Sequence, residues 1–395
     1  MIPQLLKNKD VIAASKSGTG KTASFVLPML QNINNHLNYE NRVLRGLIIV
    51  PTRELVDQIS IAMNGYGSDL KVRHTKIQGG VSRNLQEKKL DTGIDIIIAT
   101  PGRLKDMIED EIIDLSSVRH IVLDETDVML EMGFLKEIEF LLSRCNIKRQ
   151  IIMCSATVSQ NIKKLAKEFL HHPEVIEVSD RRDRVMLIDH YAYKVDVKRK
   201  DELLAHLIKK NPLEQVLVFV NTKEMADKVF ASLKTTGIRV GVIHGDIEYK
   251  DRVSAIKNFR SAKAQVLVAT DVAARGIDIK ELAFVINYEL PEATDEFTHR
   301  SGRTGRAGNR GSVITLLTTK DYNHFTKIER HLKLSIRRDI EDGFELKDRQ
   351  PRQKQFAKKK LSEKKNKRIS NSPKSTGAKS KKTTKRDSNR NFRKR

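Results

Sequence analysis

The sequence predicts an α/β protein of two successive units, each a mostly parallel sheet flanked by helices, with a basic tail behind them. Three observations predict it. Apolar runs of four to six residues alternate with helix-length segments along residues 1–178, and the alternation restarts along residues 188–340. Almost every apolar run empties into a turn made of Gly, Thr, Asp, Ser or Arg. Residues 347–395 hold 21 of the lysines and arginines against Asp348, Glu363 and Asp387, a net of +18 out of the chain's +24.

The first run, Val11-Ile12-Ala13-Ala14, reads as a buried strand, and Ser15-Lys16-Ser17-Gly18-Thr19-Gly20-Lys21-Thr22 follows it into a helix. Strand, glycine loop, Lys-Thr and helix is the layout of a phosphate-binding loop, in which turned-in N–H groups and the helix start hold phosphates. Lys21 is placed to reach the β and γ phosphates, and Thr22 to put its hydroxyl on Mg²⁺. Ser15 stands where the strict pattern has Gly, and a glycine turn with an exposed lysine is the plainer alternative.

The run 46–50 ends at Pro51-Thr52-Arg53-Glu54-Leu55, where Pro51 stops a strand and Thr52 can cap a helix. Residues 72–77 and 94–98 repeat the scheme, with Gly79-Gly80 in the turn between them and Thr100-Pro101-Gly102-Arg103 after them. These loops leave the carboxyl edge of a parallel sheet, where open α/β sheets bind ligands. Ile121-Val122-Leu123 then delivers Asp124, Glu125, Thr126 and Asp127. Beside a phosphate loop, Asp124 suits Mg²⁺, often through water, and Glu125 suits the attacking water. Residues 151–154 lead to Ser155-Ala156-Thr157, small hydroxyl residues able to link the acidic motif to whatever lies across a cleft. A helix at 159–169 and a strand at 174–178 complete the unit.

Residues 179–187 are polar, charged and without period, as a linker is. Beyond them, strands at 216–220, 238–243, 265–269 and 284–287 run into Asn221-Thr222, His244-Gly245-Asp246, Thr270-Asp271 with Ala273 to Asp278, and finally His299-Arg300-Ser301-Gly302-Arg303-Thr304-Gly305-Arg306. The second unit has no phosphate loop, so one nucleotide site served by two similar domains is the simplest expectation. Arginines spaced by glycines suit a γ-phosphate held by the opposite domain.

Length and composition bound the rest. At 395 residues there is chain for two or three cores. Two cysteines, Cys145 and Cys154, exclude a disulfide scaffold and a four-cysteine zinc site, and their apolar surroundings predict buried thiols. No apolar run approaches a membrane span and the N-terminus has no signal-peptide pattern, so a reducing cytoplasmic setting is the expectation. The segment 341–395, with Phe356 and Phe392 as the only aromatics from residue 347 on, cannot bury enough apolar surface to fold alone. It is expected to be a disordered basic tail whose natural partner is a polyphosphate chain, a merely solubilising tail being the alternative.

Taken together, SKSGTGKT (15–22), PTREL (51–55), GG (79–80), TPGR (100–103), DETD (124–127), SAT (155–157), HGD (244–246), ATDVAARGID (269–278) and HRSGRTGR (299–306) resemble the motifs of DEAD-box ATP-dependent RNA helicases, in that family's order. The likeness runs from Met1 to about Arg338 and is nearest in style to the bacterial RhlE-like subgroup. It implies two RecA-like domains closing over ATP–Mg²⁺ and single-stranded RNA. It implies that Ser15 through Thr22 hold the nucleotide, that Asp124 and Glu125 serve hydrolysis, that Arg303 and Arg306 reach the γ-phosphate, and that Asp278 meets the ribose. Ser155, Thr157 and His299 would couple the sites. Pro51, Thr52, Arg53, Gly80, Thr100, Gly102, Arg103, Gly245 and Thr270 would line the RNA backbone, which carries little sequence preference.

Three departures accompany the likeness. The family's adenine-reading glutamine motif lies upstream of the phosphate loop, whereas this sequence opens at Met1-Ile2-Pro3 with Gln4 on the wrong side, as expected of a shortened chain or a late start. Thr126 replaces the usual Ala, and Tyr249 stands three before Arg252 where Gln is common, which weakens an RNA contact there. An RNA-dependent ATPase and helicase is the expected function, and a non-hydrolysing RNA clamp or scaffold the alternative. A phosphate-loop switch or transporter ATPase does not fit, since the second unit supplies arginines and no Asn-Lys-x-Asp is present.

Overall fold

The computed structural model describes the chain apart from residues 16–19, 39, 41, 157–158, 178–187, 211–214, 276, 278–281, 306–309 and 348–395. In the first half, strands β1 (Val11–Ala14), β2 (Gly46–Ile49), β3 (His74–Ile77), β4 (Ile96–Ala99), β5 (His120–Leu123), β6 (Gln150–Ser155) and β7 (Glu174–Glu177) form one sheet in the order β3-β4-β2-β5-β6-β1-β7. Helices α1 (Ile2–Leu5), α2 (Lys21–Asn34), α3 (Arg53–Tyr66), α4 (Arg83–Leu90), α5 (Pro101–Glu109), α6 (Thr126–Glu131), α7 (Leu135–Arg144) and α8 (Gln160–Phe169) connect them.

The second half repeats the plan. Strands β8 (Ile188–Lys194), β9 (Val216–Val220), β10 (Val240–Ile243), β11 (Val266–Thr270), β12 (Phe284–Asn287), β13 (Gly311–Leu317) and β14 (Arg338–Asp339) lie in the order β10-β11-β9-β12-β13-β8-β14. Counted from each unit's own first strand, that is the same order as in the first sheet. Helices α9 (Lys200–Lys210), α10 (Lys223–Thr235), α11 (Tyr249–Arg260), α12 (Asp271–Ala274), α13 (Thr294–Ser301) and α14 (Tyr322–Leu332) cross between them. Every strand pairing among the described residues is parallel, so the expected α/β class with two tandem sheets is met and "mostly" parallel becomes wholly parallel.

Period-two alternation builds the layers. In β2, Leu47 and Ile49 enter the core on one face while Ile48 and the following Val50 enter the core on the other. In β9, Leu217 and Phe219 face one way and Val216, Val218 and Val220 the other. Both faces of each sheet are covered by helices, which is why these strands read as continuous apolar runs. Cys145 and Cys154 are buried, and burial pushes the Cys145 thiol up to about 12 and Cys154 higher still, so both act as small hydrophobes.

The sequence groups residues 341–347 with the tail, but they pack on the second sheet. Phe344 is buried under the Arg199 guanidinium, 4.3 Å from its ring centroid, and the Lys347 amide donates to Asp196. One aromatic and one carboxylate partner suffice to dock a segment whose composition is otherwise that of the tail. The expected linker 179–187 and the tail from 348 onward lie outside the described residues.

Candidate functional site

The carboxyl edge of the first sheet gathers the acidic motif. Lys21 opens α2 from a left-handed Gly20 (φ 82°), a conformation glycine adopts without strain, and its Nζ donates to the Ser15 carbonyl at 2.6 Å. Its positive charge bears on both Asp124 and Glu125. Asp124 is buried at the end of β5; burial raises its pKa, opposed by Lys21 and by the Glu125 amide that donates to it at 3.0 Å. Glu125 has φ 52°, a left-handed backbone that costs a non-glycine residue about 1–3 kcal/mol. Burial, then Asp124, push its carboxyl up to about 7, while Arg303 and Lys21 pull it down. Its Oε2 is buried with no hydrogen-bond partner among the described residues. Thr126 is wholly buried and donates to the Leu123 carbonyl at 3.0 Å, so a hydroxyl fits where the family has a methyl.

Arg303 belongs to the second domain, just past α13, and it donates to the Ile277 carbonyl at 3.0 Å while its charge bears on Glu125 across the junction. His299 of α13 is half-buried, and the lost hydration lowers its pKa; Asp127 and Glu131 of the first domain act against that, and Arg275 and Arg303 with it. Asp127 in turn accepts from the Ala156 amide at 2.9 Å and from the Val128 amide at 3.0 Å. Hydrogen bonds thus join the acidic motif to the backbone after β6, and the Asp127 charge reaches His299 of α13. Ser155 ends β6 beside it, fully buried, its carbonyl accepting from the Ser15 amide.

Arg300 has a different task from Arg303. Its guanidinium is 1% exposed and takes Asp271 in a two-pronged pairing at 2.6 Å and 2.6 Å, with further bonds to Asn221, Asn287 and the Glu289 carbonyl. It also lies 5.1 Å from the Phe219 ring centroid. Of the arginines read as phosphate arms in the 299–306 run, Arg300 is therefore an internal brace tying α13 to the ends of β9 and β12. Such a fully paired buried cation is costly to break by removing one partner.

A concavity of about 310 Å³ is lined by residues of both domains. From the first domain it takes Pro51-Thr52-Arg53, Gly79, Thr100, Gly102 and Arg103, with Met132 and Phe134; from the second it takes Gly245, Arg252, Val272 and Ala273. The starts of α3, α5 and α12 all open on it, and helix starts favour anions. Thr52 caps α3 by accepting from the Leu55 amide at 3.4 Å. A Cβ at Gly102 or Gly245 would meet nothing within 4 Å, so the protein's own packing does not require glycine at either. Gly80 is different: it has φ 72°, and a Cβ there would sit 2.1 Å from Arg53 Nη1.

Seven of the nine residues expected along RNA line this cleft: Pro51, Thr52, Arg53, Thr100, Gly102, Arg103 and Gly245. Gly80 lies beneath Arg53, and Thr270 stands just before α12 with no side-chain cap bond, while Val272 and Ala273 of α12 line the wall in its place. Lys16, Ser17, Gly18, Thr19, Thr157, Asp278 and Arg306 lie outside the described residues, while Thr22 sits in the first turn of α2. Sequence reading missed Asp127 as a link, although it completes the acidic motif. It also missed three cross-domain contacts: Arg252–Glu54 at 2.5 Å, Arg275–Glu131 at 2.8 Å, and Tyr249–Asp57. Among the described residues no three His, Cys, Asp or Glu side chains come together to hold a metal by themselves. Thr22 and Asp124 fit a hard cation that brings phosphate and water oxygens for its remaining ligands.

Known proteins share this arrangement. Residues 1–165 match the DEAD/DEAH box helicase model and residues 199–308 the helicase conserved C-terminal domain. The DEAD-box ATP-dependent RNA helicase CshA of Geobacillus kaustophilus is 36% identical over 337 residues, which cover 85% of this chain and 71% of that one. Among solved structures, S. cerevisiae Dbp5 bound to RNA and ADP BeF3 superposes with a TM-score of 0.76 at 28% identity, over 86% of this chain and 88% of that one. A DEAD box protein from Methanococcus jannaschii is 35% identical, over 86% of this chain and 91% of that one, but its TM-score is 0.50. The two sheets are RecA-like domains in tandem, and the chain belongs to the DEAD-box ATP-dependent RNA helicase family.

Proposed function

We propose that this chain hydrolyses ATP when RNA is bound and uses the cycle to pry short RNA duplexes apart or to remodel RNA–protein complexes. One observation carries the reading: both the acidic site and the cleft are composite, each drawing residues from both domains. Two ligands that each need the closed junction stabilise one another's binding, and this is coupling in the thermodynamic sense.

Lys21 would hold the phosphates, and Thr22 and Asp124 would hold the metal. Mg²⁺, when bound, offsets phosphate charge. Glu125, its buried oxygen unpaired, orients and deprotonates the attacking water. Arg303, with Arg306 of the same run, stabilises charge on the γ-phosphate, and Asp278 meets the ribose. Asp127, Ser155, Thr157 and His299 pass the state of the acidic motif to the second domain. Across the junction, Arg53, Arg103 and the three helix starts seat phosphates of one RNA strand, and Gly102 and Gly245 let its backbone approach. When the γ-phosphate leaves, the arginines lose their partner and the cleft opens. The supporting fact for RNA is a cleft lined by helix starts and cations; among the described residues, no helix is long and apolar enough to cross a membrane.

ATP hydrolysis with and without poly(U) tests the reading. Stimulation by RNA supports it; tight RNA binding with no turnover would favour the clamp. Gly245→Val sharpens the test. Because nothing of the protein fills that space, the variant should keep the wild-type melting temperature while RNA binding weakens about tenfold, read by fluorescence anisotropy. A wild-type affinity would remove Gly245 from the RNA path.

The basic segment 348–395 is proposed as a second, sequence-independent RNA anchor. If it meets about six phosphates, the slope of log affinity against log salt contributed by the tail is near −4, at about −0.7 per phosphate on single strands. Deleting the segment should flatten the slope by that amount, and an unchanged slope and affinity would reject the anchor.

A further inference from the structure

We propose that Tyr249 is a positioning residue that completes the seat of Arg53 only when the two domains are together; this rests on the RNA-dependent reading of the cleft. Tyr249 opens α11 in the second domain, whereas its neighbours all come from the first. Its hydroxyl donates to an Asp57 carboxylate oxygen on α3 and accepts from Gln78 Nε2 at 3.3 Å, just after β3. The other Asp57 oxygen accepts from Lys76 Nζ at 2.7 Å, so the acceptor is itself held in place. The face of the Tyr249 ring lies 5.7 Å from the Arg53 guanidinium carbon. That guanidinium also rests on Gly80, close enough that a Cβ there could not fit. Arg53 is one of the cations lining the cleft.

The geometry gives the two parts of the side chain separate tasks. The ring is one wall of a slot for Arg53, whose other wall is the Gly79-Gly80 turn. The hydroxyl fixes the ring by binding a charged acceptor, which is stronger than a neutral pairing. The neighbouring Arg252–Glu54 pair, one turn along α11, joins a buried Glu54 to a partly buried Arg252 and keeps the same two helices in register. In an open molecule the slot has one wall, and the long Arg53 side chain keeps its rotamer freedom. Closure removes that freedom before RNA arrives at the cation, so an RNA phosphate meets an arginine already aimed. A tyrosine where a glutamine is common thus moves position 249 from touching RNA to steering a residue that does.

The experiment is steady-state ATP hydrolysis by the full chain against poly(U) concentration, for wild type, Tyr249→Phe, Tyr249→Ala, Asp57→Asn and the Phe/Asn double variant. Tyr249→Ala is expected to raise the RNA concentration for half-stimulation about tenfold, with the turnover at saturating RNA within about twofold of wild type. Tyr249→Phe should fall between the two. Tyr249→Phe and Asp57→Asn should be non-additive, because Phe removes the hydrogen bond whose acceptor charge Asn removes. Alanine and wild type giving the same half-stimulation, or the two single variants adding fully, would overturn the proposal. A loss of turnover at saturation with unchanged half-stimulation would do so too, since that is the signature of a structural role. A second measurement does not depend on turnover: energy transfer between dyes on Ile147→Cys and Lys263→Cys, both exposed positions, with ADP–beryllium fluoride and poly(U). The native cysteines are buried and do not compete for label. If wild type closes but is not stimulated by RNA, the helicase reading fails and the proposal is still decided, by whether Tyr249→Ala needs about tenfold more poly(U) to close.

Discussion

Replacing Arg303 by alanine is expected to lower RNA-stimulated ATP turnover by about 10³–10⁵-fold, the range for an arginine that meets a transferring phosphoryl group from outside the phosphate loop. The physical case is the path of its field. Arg303 is anchored in the second domain by its bond to the Ile277 carbonyl, yet it is among the charges that pull the Glu125 acidity down in the first. If Glu125 is the general base proposed above, a cation felt by it across the junction is also placed to meet γ-phosphate charge. Fluorescent ATP analogues should bind the variant within a few-fold of wild type, because Lys21 and the helix start remain. Turnover within tenfold of wild type would show that Arg303 is not the arm. Arg300→Ala is no substitute for this experiment: that guanidinium is an internal brace, and its loss would be read as unfolding.

Much of this was legible in the chain and some was not, for physical reasons. Strands buried on both faces have to be continuous apolar runs, so the central strands announced themselves, and their polar ends marked the ligand edge. β14 is two residues long and β8 has a mixed pattern, because both lie towards a sheet margin where burial is partial. The brace role of Arg300 was hidden among similar arginines: only the meeting of Asn221, Asn287 and Asp271 at one point separates it from Arg303. Tyr249 and Asp57 are 192 positions apart, on helices of different domains, and no local periodicity carries information about such a pair. Asp127 was legible in principle. It is the fourth member of the acidic motif, and a buried carboxylate needs donors, which the Ala156 and Val128 amides supply.

Glu125→Gln should cut turnover by about 10²–10⁴-fold, the usual worth of a positioned general base, with RNA and nucleotide binding retained. Its ionisation gives the prediction a pH signature. Burial and Asp124 hold the carboxyl near 7, so the base is progressively protonated below that pH. The wild-type kcat/KM for ATP at saturating RNA should therefore fall on the acid side with an apparent pKa near 7. Residual activity of Glu125→Gln should lack that limb. In Arg303→Ala the limb should move upward, because a cation that favours the carboxylate has gone. Stability follows from the same shift. A carboxyl held above its ordinary 4.5 contributes stability that is fully present below about 4.5 and is lost as pH rises through about 7. Glutamine has nothing to lose there. The variant should thus gain on wild type in thermal unfolding from about pH 4.5 to about pH 7, by up to a few kcal/mol, and the gap should then level off. Parallel unfolding curves at pH 5 and pH 8 would mean that the buried oxygen of Glu125 is wetter than its burial indicates, and that the base titrates as an ordinary carboxylate.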